Sequence, residues 1–139
     1  MPKQLFVNVA VSDLKKTVDF FTGLGFTFNP KFTDENATCM IVGESNYFMF
    51  LVPKFFQEFT KKPIADAKTV TEGLFAISLD SNDEVNRLVD AAIALGAREY
   101  LEPRDLGFMY SRSFEDLDGH QWEFFYMDPR FDPDNPTNS

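Results

Sequence analysis

Glu123 lies between Trp122 and Phe124 in the run Gln121 to Met127. A carboxylate stripped of water by aromatic neighbours holds its proton more tightly, and its pKa is expected to rise unless a cation or donor pairs with it. Such a carboxyl suits a general acid or base. The same residue is equally well explained as a partner of an arginine or a tyrosine. Arg112 is the candidate partner, because Phe108-Met109-Tyr110-Ser111-Arg112 leads into the preceding strand and places Tyr110 and Arg112 on one face. Other reactive types are less promising. Cys39, between Thr38 and Met40 with no basic neighbour, reads as a buried inert thiol. Ser111 and Ser113 have no nearby histidine to activate them. His120, the only histidine, sits in a turn and is expected to serve its hydrogen bonding. Gly43 and Gly73 are isolated and make no phosphate loop.

The elements that must carry these residues are written in the hydrophobic periodicity. Leu5 to Val11 alternates as a two-faced strand. Ser12 or Asp13 then caps a helix whose stripe of Leu14, Val18, Phe20 and Phe21 ends at Gly23 and Gly25. Strands follow at Phe26 to Phe32 (broken by Pro30), Ala37 to Val42 and Tyr47 to Val52. The pattern recurs with a strand at Leu74 to Leu79 and a helix capped by Asp80 or Ser81, running through Val85, Leu88, Val89 and Ile93 to Gly96. Strands at Tyr100-Leu101, Met109 to Phe114 and Gln121 to Met127 complete it, the last two joined by an Asp118-Gly119 turn. The predicted fold class is therefore α+β, two βαβββ repeats in one domain over 1–129. Repeat one spans about 3–53, a linker 54–72, and repeat two about 73–129. A single ferredoxin-like sheet is the alternative. In the linker, Phe55, Phe56 and Phe59 form one face of a short helix, read as sheet cover in preference to a lid, and the polar, proline-rich tail 130–139 is expected to be loosely ordered.

Composition narrows the partners. Among 139 residues there are 17 Phe, one Trp and four Tyr, which implies an aromatic core or a greasy cavity. A formal charge of −9 opposes nucleic acid and an anionic membrane surface, and would favour a cationic ligand. A single cysteine gives no disulfide framework, and the opening MPKQLFVNVAVSD lacks the apolar run of a signal peptide. A cytoplasmic location is the expectation.

Val11-Ser12-Asp13-Leu14, the helix reaching Phe20-Phe21, and Leu24-Gly25-Phe26 resemble the opening signature of glyoxalase and bleomycin-resistance proteins. Phe114-Glu115-Asp116-Leu117-Asp118-Gly119-His120-Gln121-Trp122-Glu123 is similar to their closing aspartate-rich turn and glutamate. The resemblance is to the vicinal-oxygen-chelate superfamily, which includes dioxygenases. It implies half-open sheets around a cavity, a homodimer, and in metal-dependent members a divalent ion held by four side chains. Carried over, those positions fall on Phe6, Leu74 and Glu123, and on Met49 to within one residue. Phe and Leu offer no lone pair and a thioether suits hard cations poorly, so no metal cofactor is expected. If Phe6 faces the cavity, alternation adds Asn8 and Ala10; Tyr47 and Leu51 accompany Met49, Ala76 and Ser78 accompany Leu74, and Gln121 and Phe125 flank Glu123. An apolar wall with a few polar points is the composition of a small-molecule site. Phe6, Asn8, Tyr47, Met49, Leu74, Ser78, Tyr110, Arg112, Glu123 and Phe125 are thus the candidate ligand-binding residues, with Glu123 the candidate catalytic one. Two readings follow: a metal-free protein binding an aromatic or cationic small molecule, or a lyase- or isomerase-type enzyme using Glu123 or a non-standard metal site. A scaffold filled by its own Phe side chains is the third.

Overall fold

The computed structural model describes residues 3–131 and residue 134. The chain divides into two compact units, residues 1–66 and 67–139. Each is a βαβββ module with a four-stranded mixed sheet.

In the first module β1 (Leu5–Ala10) leads into α1 (Leu14–Gly23), then β2 (Thr27–Asn29), β3 (Ala37–Ile41) and β4 (Asn46–Leu51). Asp13 is the cap of α1: its carboxylate accepts from the Lys16 N–H at 3.1 Å, satisfying a donor that the helix start leaves open. Gly25 reverses the chain after the helix at φ 98°, a conformation L side chains resist. The sheet order is β1-β4-β3-β2, with β1 and β4 parallel and the other pairs antiparallel. Pro30 ends β2 as expected, and residues 30–32 form a 3-10 turn. The aromatic content goes first into this module's core: Phe21 of α1 stacks on Phe50 at 5.2 Å and meets Phe20 edge-on at 4.9 Å. Val9, Met40, Phe48 and Phe50 are buried on the same sheet face. After β4, α2 (Pro53–Phe56) packs against β1, and a 3-10 turn follows at Gln57–Phe59. Phe55 meets Phe59 edge-on at 5.1 Å, while Phe59 stays exposed.

The second module repeats the plan with β5 (Leu74–Ser78), α3 (Asn82–Ala94), β6 (Arg104–Asp105), β7 (Met109–Glu115) and β8 (Gln121–Met127), in the order β5-β8-β7-β6. Ser81 caps α3 by accepting from the Glu84 N–H at 3.0 Å, and Asp83 and Glu84 place negative charge at the positive end of the helix dipole. Val85, Leu88, Val89 and Ala92 bury the helix against Phe114, Trp122 and Phe124. One strand differs from expectation. Tyr100-Leu101 is not a strand; the chain makes one isolated bridge, Arg98 to Glu115, and resumes pairing only at Arg104, after Pro103 has removed a backbone donor.

The turn between β7 and β8 is held by Asp116. Its buried carboxylate accepts from the Trp122 indole N–H at 2.9 Å and from the backbone N–H groups of Asp118 and His120, both at 3.0 Å. Gly119 at φ 94° completes the reversal, and a Cβ there would lie 2.8 Å from the Ala67 carbonyl oxygen. His120 takes part through its backbone, its carbonyl accepting from the Asp116 N–H, in keeping with the turn role expected of it. Of the tail expected to be loose, Phe131 stacks on Phe108 at 4.1 Å, and residues 132, 133 and 135–139 lie outside the described residues. Among the described residues, no helix is long and apolar enough to cross a membrane.

Candidate functional site

Each sheet has one face covered by its helix and one face left open, and strand alternation decides which side chains reach the open one. In the first module the parallel register pairs Phe6 with Tyr47, Asn8 with Met49 and Ala10 with Leu51, so these six side chains share one face, exposed at Phe6 and Asn8 and buried at Leu51. Phe6 is 41% exposed and lies flat on Tyr47, centroids 4.7 Å apart and planes 15° from parallel. The stack is braced at its polar edge, where the Tyr47 hydroxyl donates to the Glu44 carbonyl at 3.2 Å. Asn8 is exposed beside it and donates to the Phe6 carbonyl at 3.3 Å. Cys39 belongs to the same module but is wholly buried, and burial pushes its thiol pKa up, as befits an inert group.

In the second module β5 pairs Leu74 with Gln121, Ala76 with Glu123 and Ser78 with Phe125. On the other side of β8, Ser111 faces Phe125, Ser113 faces Glu123 and Glu115 faces Gln121. The open face therefore carries Leu74, Ala76, Ser78, Glu123 and Phe125 together with Ser113. The two registers also fix a correspondence: Phe6 and Leu74 hold one place in the repeat, and Met49 and Glu123 another.

Three sequence expectations change here. Tyr110 and Arg112 do not share the face of Glu123, because Arg112 stands opposite Phe124 and Tyr110 opposite Tyr126. They point to the α3 side, where the Arg112 guanidinium donates to both carboxylate oxygens of Glu99 at 2.9 Å and lies 3.0 Å from Asp90, and the Tyr110 hydroxyl bonds Asn86 at 2.6 Å. These bonds to Glu99 and Asp90 raise the Arg112 pKa further against the opposing effect of burial. Arg112 thus is not the partner of Glu123. Nor do Trp122 and Phe124 strip water from that carboxylate, since both turn to the opposite face and are fully buried there. Among the described residues no hydrogen-bond or ion-pair partner faces the Glu123 side chain.

Tyr100 is a site residue that periodicity did not mark. Burial raises its phenol pKa, the neighbouring Ser113 side chain opposes the rise, and the Glu115 and Glu123 carboxylates add to it. Glu115 is itself closed by Arg98 at 3.0 Å. A groove of about 360 Å³ lies elsewhere in this module, lined by Asn82, Phe108, Tyr110, Tyr126 and Arg130, and it shares only Tyr110 with the predicted site.

A divalent metal of the sort the resemblance implies does not fit these side chains. Of Phe6, Met49, Leu74 and Glu123, only Glu123 presents an oxygen donor, and Phe6 is committed to its stack on Tyr47. Among the described residues, no three His, Cys, Asp or Glu side chains gather as a metal group.

Residues 3–43 match the family model described as "Bleomycin resistance protein-like N-terminal". No curated protein is significantly similar in sequence. Among solved structures, a hypothetical protein from S. aureus is 25% identical with a TM-score of 0.77, the match covering 91% of this chain and 94% of that one. A glyoxalase/bleomycin resistance protein/dioxygenase family enzyme from Burkholderia phytofirmans PsJN is 16% identical with a TM-score of 0.75 over 91% and 99% of the two chains. A fosfomycin resistance protein from Mesorhizobium loti shares the fold at 15% identity and a TM-score of 0.66, over 91% and 92%.

Proposed function

Starting from the place of the chain in the glyoxalase/bleomycin resistance/dioxygenase superfamily, we propose that it binds a small organic molecule without a metal, through the aromatic open face of its first module. The observation that carries this reading is Phe6. A residue 41% exposed and stacked on Tyr47 occupies a position where chelation would need a lone pair. Burying a large exposed ring against a flat ligand gains about 1 to 3 kcal/mol of hydrophobic free energy, and an aromatic ligand adds about 0.5 to 1.5 from ring stacking. Asn8 supplies a nearby amide to orient it. The homodimer implied by the family resemblance belongs to the same proposal.

Titration calorimetry with a panel of planar aromatic compounds, before and after chelator treatment, tests it. A ligand whose affinity is unchanged by chelator and falls about tenfold in Phe6→Ala supports the reading. No binding at millimolar concentration, or binding that appears only with added nickel, zinc, manganese or iron, overturns it.

A second reading is favoured by one observation, that Glu123 has no ion-pair or hydrogen-bond partner among the described residues. A carboxylate without a committed partner can take a proton from a substrate, as a lyase- or isomerase-type reaction requires. Unchanged turnover in Glu123→Gln, for a substrate the protein processes, would remove that reading.

A further inference from the structure

We infer that the groove beside the start of α3, on the sheet face away from Glu123, is a second ligand site, one that takes a planar, uncharged aromatic molecule carrying an amide-like donor and acceptor. The inference goes beyond the proposed binding function, whose aromatic surface lies on the first module and can be read separately.

Tyr110 and Tyr126 stand opposite each other across β7 and β8, at the end of the pair remote from the Asp116 turn. Alternation puts both on the α3 side of the sheet, with Trp122 and Phe124. Together with Asn82, the first residue of α3, and with Phe108, Asp128 and Arg130 they line about 360 Å³, the lower end of the range for small-molecule clefts and room for a ligand of one or two rings. The walls are fixed before any ligand arrives. The Tyr110 hydroxyl donates to the Asn86 side-chain oxygen at 2.6 Å, and the same oxygen accepts from Arg112 at 3.1 Å, a guanidinium clamped in turn by Glu99. Phe131 covers one face of the Phe108 ring, with centroids 4.1 Å apart and planes 16° from parallel, and the Phe108 carbonyl accepts from the Asp128 N–H at 2.7 Å. Aromatic walls held this way reduce the ordering cost of binding and favour a flat ring.

The charges at the rim are closed on each other. The Asp128 carboxylate accepts from the Arg130 backbone N–H at 2.9 Å, from Nε at 3.1 Å and from Nη2 at 2.8 Å, so the lining is neutral as a whole and a charged ligand must break that pair or do without a counter-charge. Asn82 and Tyr126 are different, since neither side chain makes a hydrogen bond to another of the described residues. A side-chain amide and a phenol each offer a donor and an acceptor, and an amide edge on the ligand answers both.

Benzamide is the probe, with benzoate and benzylamine as its anionic and cationic counterparts. Each is titrated into the full chain labelled with ¹³C at the tyrosine ζ carbon, the four signals being assigned by Tyr→Phe variants. The expected result is a shift of the Tyr110 and Tyr126 signals with benzamide in the millimolar range, and binding about threefold weaker or more for both charged probes. Asn82→Ala and Tyr126→Phe should each weaken benzamide about threefold, with Tyr110 as the reporter in the second. Tyr110 and Tyr126 signals that never move, a charged probe that binds as well as benzamide, or a benzamide affinity unchanged in both variants overturns the inference. A response at Tyr47 alone overturns it too and leaves the first-module surface standing. A response at Tyr110 and Tyr126 alone supports the second site and counts against the first-module reading.

Discussion

Removing the Arg112 guanidinium should destabilise the protein by about 3 kcal/mol without weakening ligand binding on the Glu123 face. The side chain is 10% exposed and donates twice to Glu99, itself 24% exposed, so alanine would leave a largely buried carboxylate facing nothing. Breaking a buried pair this way costs about 3 to 5 kcal/mol, and the residual solvent access of Glu99 places the value at the lower end. Asp90 adds little, because at 68% exposure its attraction is screened by water. Glu99→Met should cost less, since Arg112 would keep Asp90 and the Asn86 side-chain oxygen at 3.1 Å. The double variant Arg112→Ala/Glu99→Met removes both charges and should recover about 2 kcal/mol relative to the sum of the singles. At about 4 °C per kcal/mol, Arg112→Ala lowers Tm by about 12 °C. Urea melts of the four proteins measure the coupling. Additivity within about 0.5 kcal/mol would refute it, and an equal loss of ligand affinity in the double variant would return Arg112 to the binding face.

Asp116→Ala should cost about 3 to 5 kcal/mol, because three N–H donors lose a charged acceptor and the wholly buried Trp122 indole is left without one. The fluorescence of that tryptophan, the only one in the chain, reports the loss in a denaturant titration. Tyr100 governs a pH response. Its raised pKa means that the folded chain keeps this proton to higher pH than the unfolded chain, so stability present below about pH 10 is lost as pH climbs through the folded value. Absorbance at high pH should show one late-titrating phenol that disappears in Tyr100→Phe, with a flatter decline of stability above pH 10; an unchanged profile would show that the phenol is not held by burial.

Alternation made the strand faces legible, since a period of two needs only local sequence. Phe6, Asn8 and Tyr47, and likewise Leu74, Ser78, Glu123 and Phe125, share faces as the spacing required. The β7–β8 register was not legible. It depends on how many residues the turn consumes, and five, Asp116 to His120, lie between the paired Glu115 and Gln121. A slip of one position exchanges faces, which is how Arg112 and Tyr110 came to be assigned beside Glu123. The fixing interaction is the grip of Asp116 on Trp122, a contact six residues apart that no periodicity announces. Tyr100 was hidden for a related reason. It lies in the irregular segment between the Arg98 bridge and β6, where position is set by tertiary contacts and hydrophobic pattern carries no phase.

The two modules share one backbone plan but present different chemistry at matching places. Where the first has Phe6, Asn8, Tyr47 and Met49, the second has Leu74, Ala76, Gln121 and Glu123. A chelating centre would require donors at several of these places and the cost of holding them dehydrated against one ion. Phe, Met and Leu carry no such cost, and two of them, Phe6 and Leu74, leave apolar surface exposed for an organic ligand. Among the described residues Glu123 has no ion-pair partner, and its strand neighbours Ala76 and Ser113 bring no counter-charge to it.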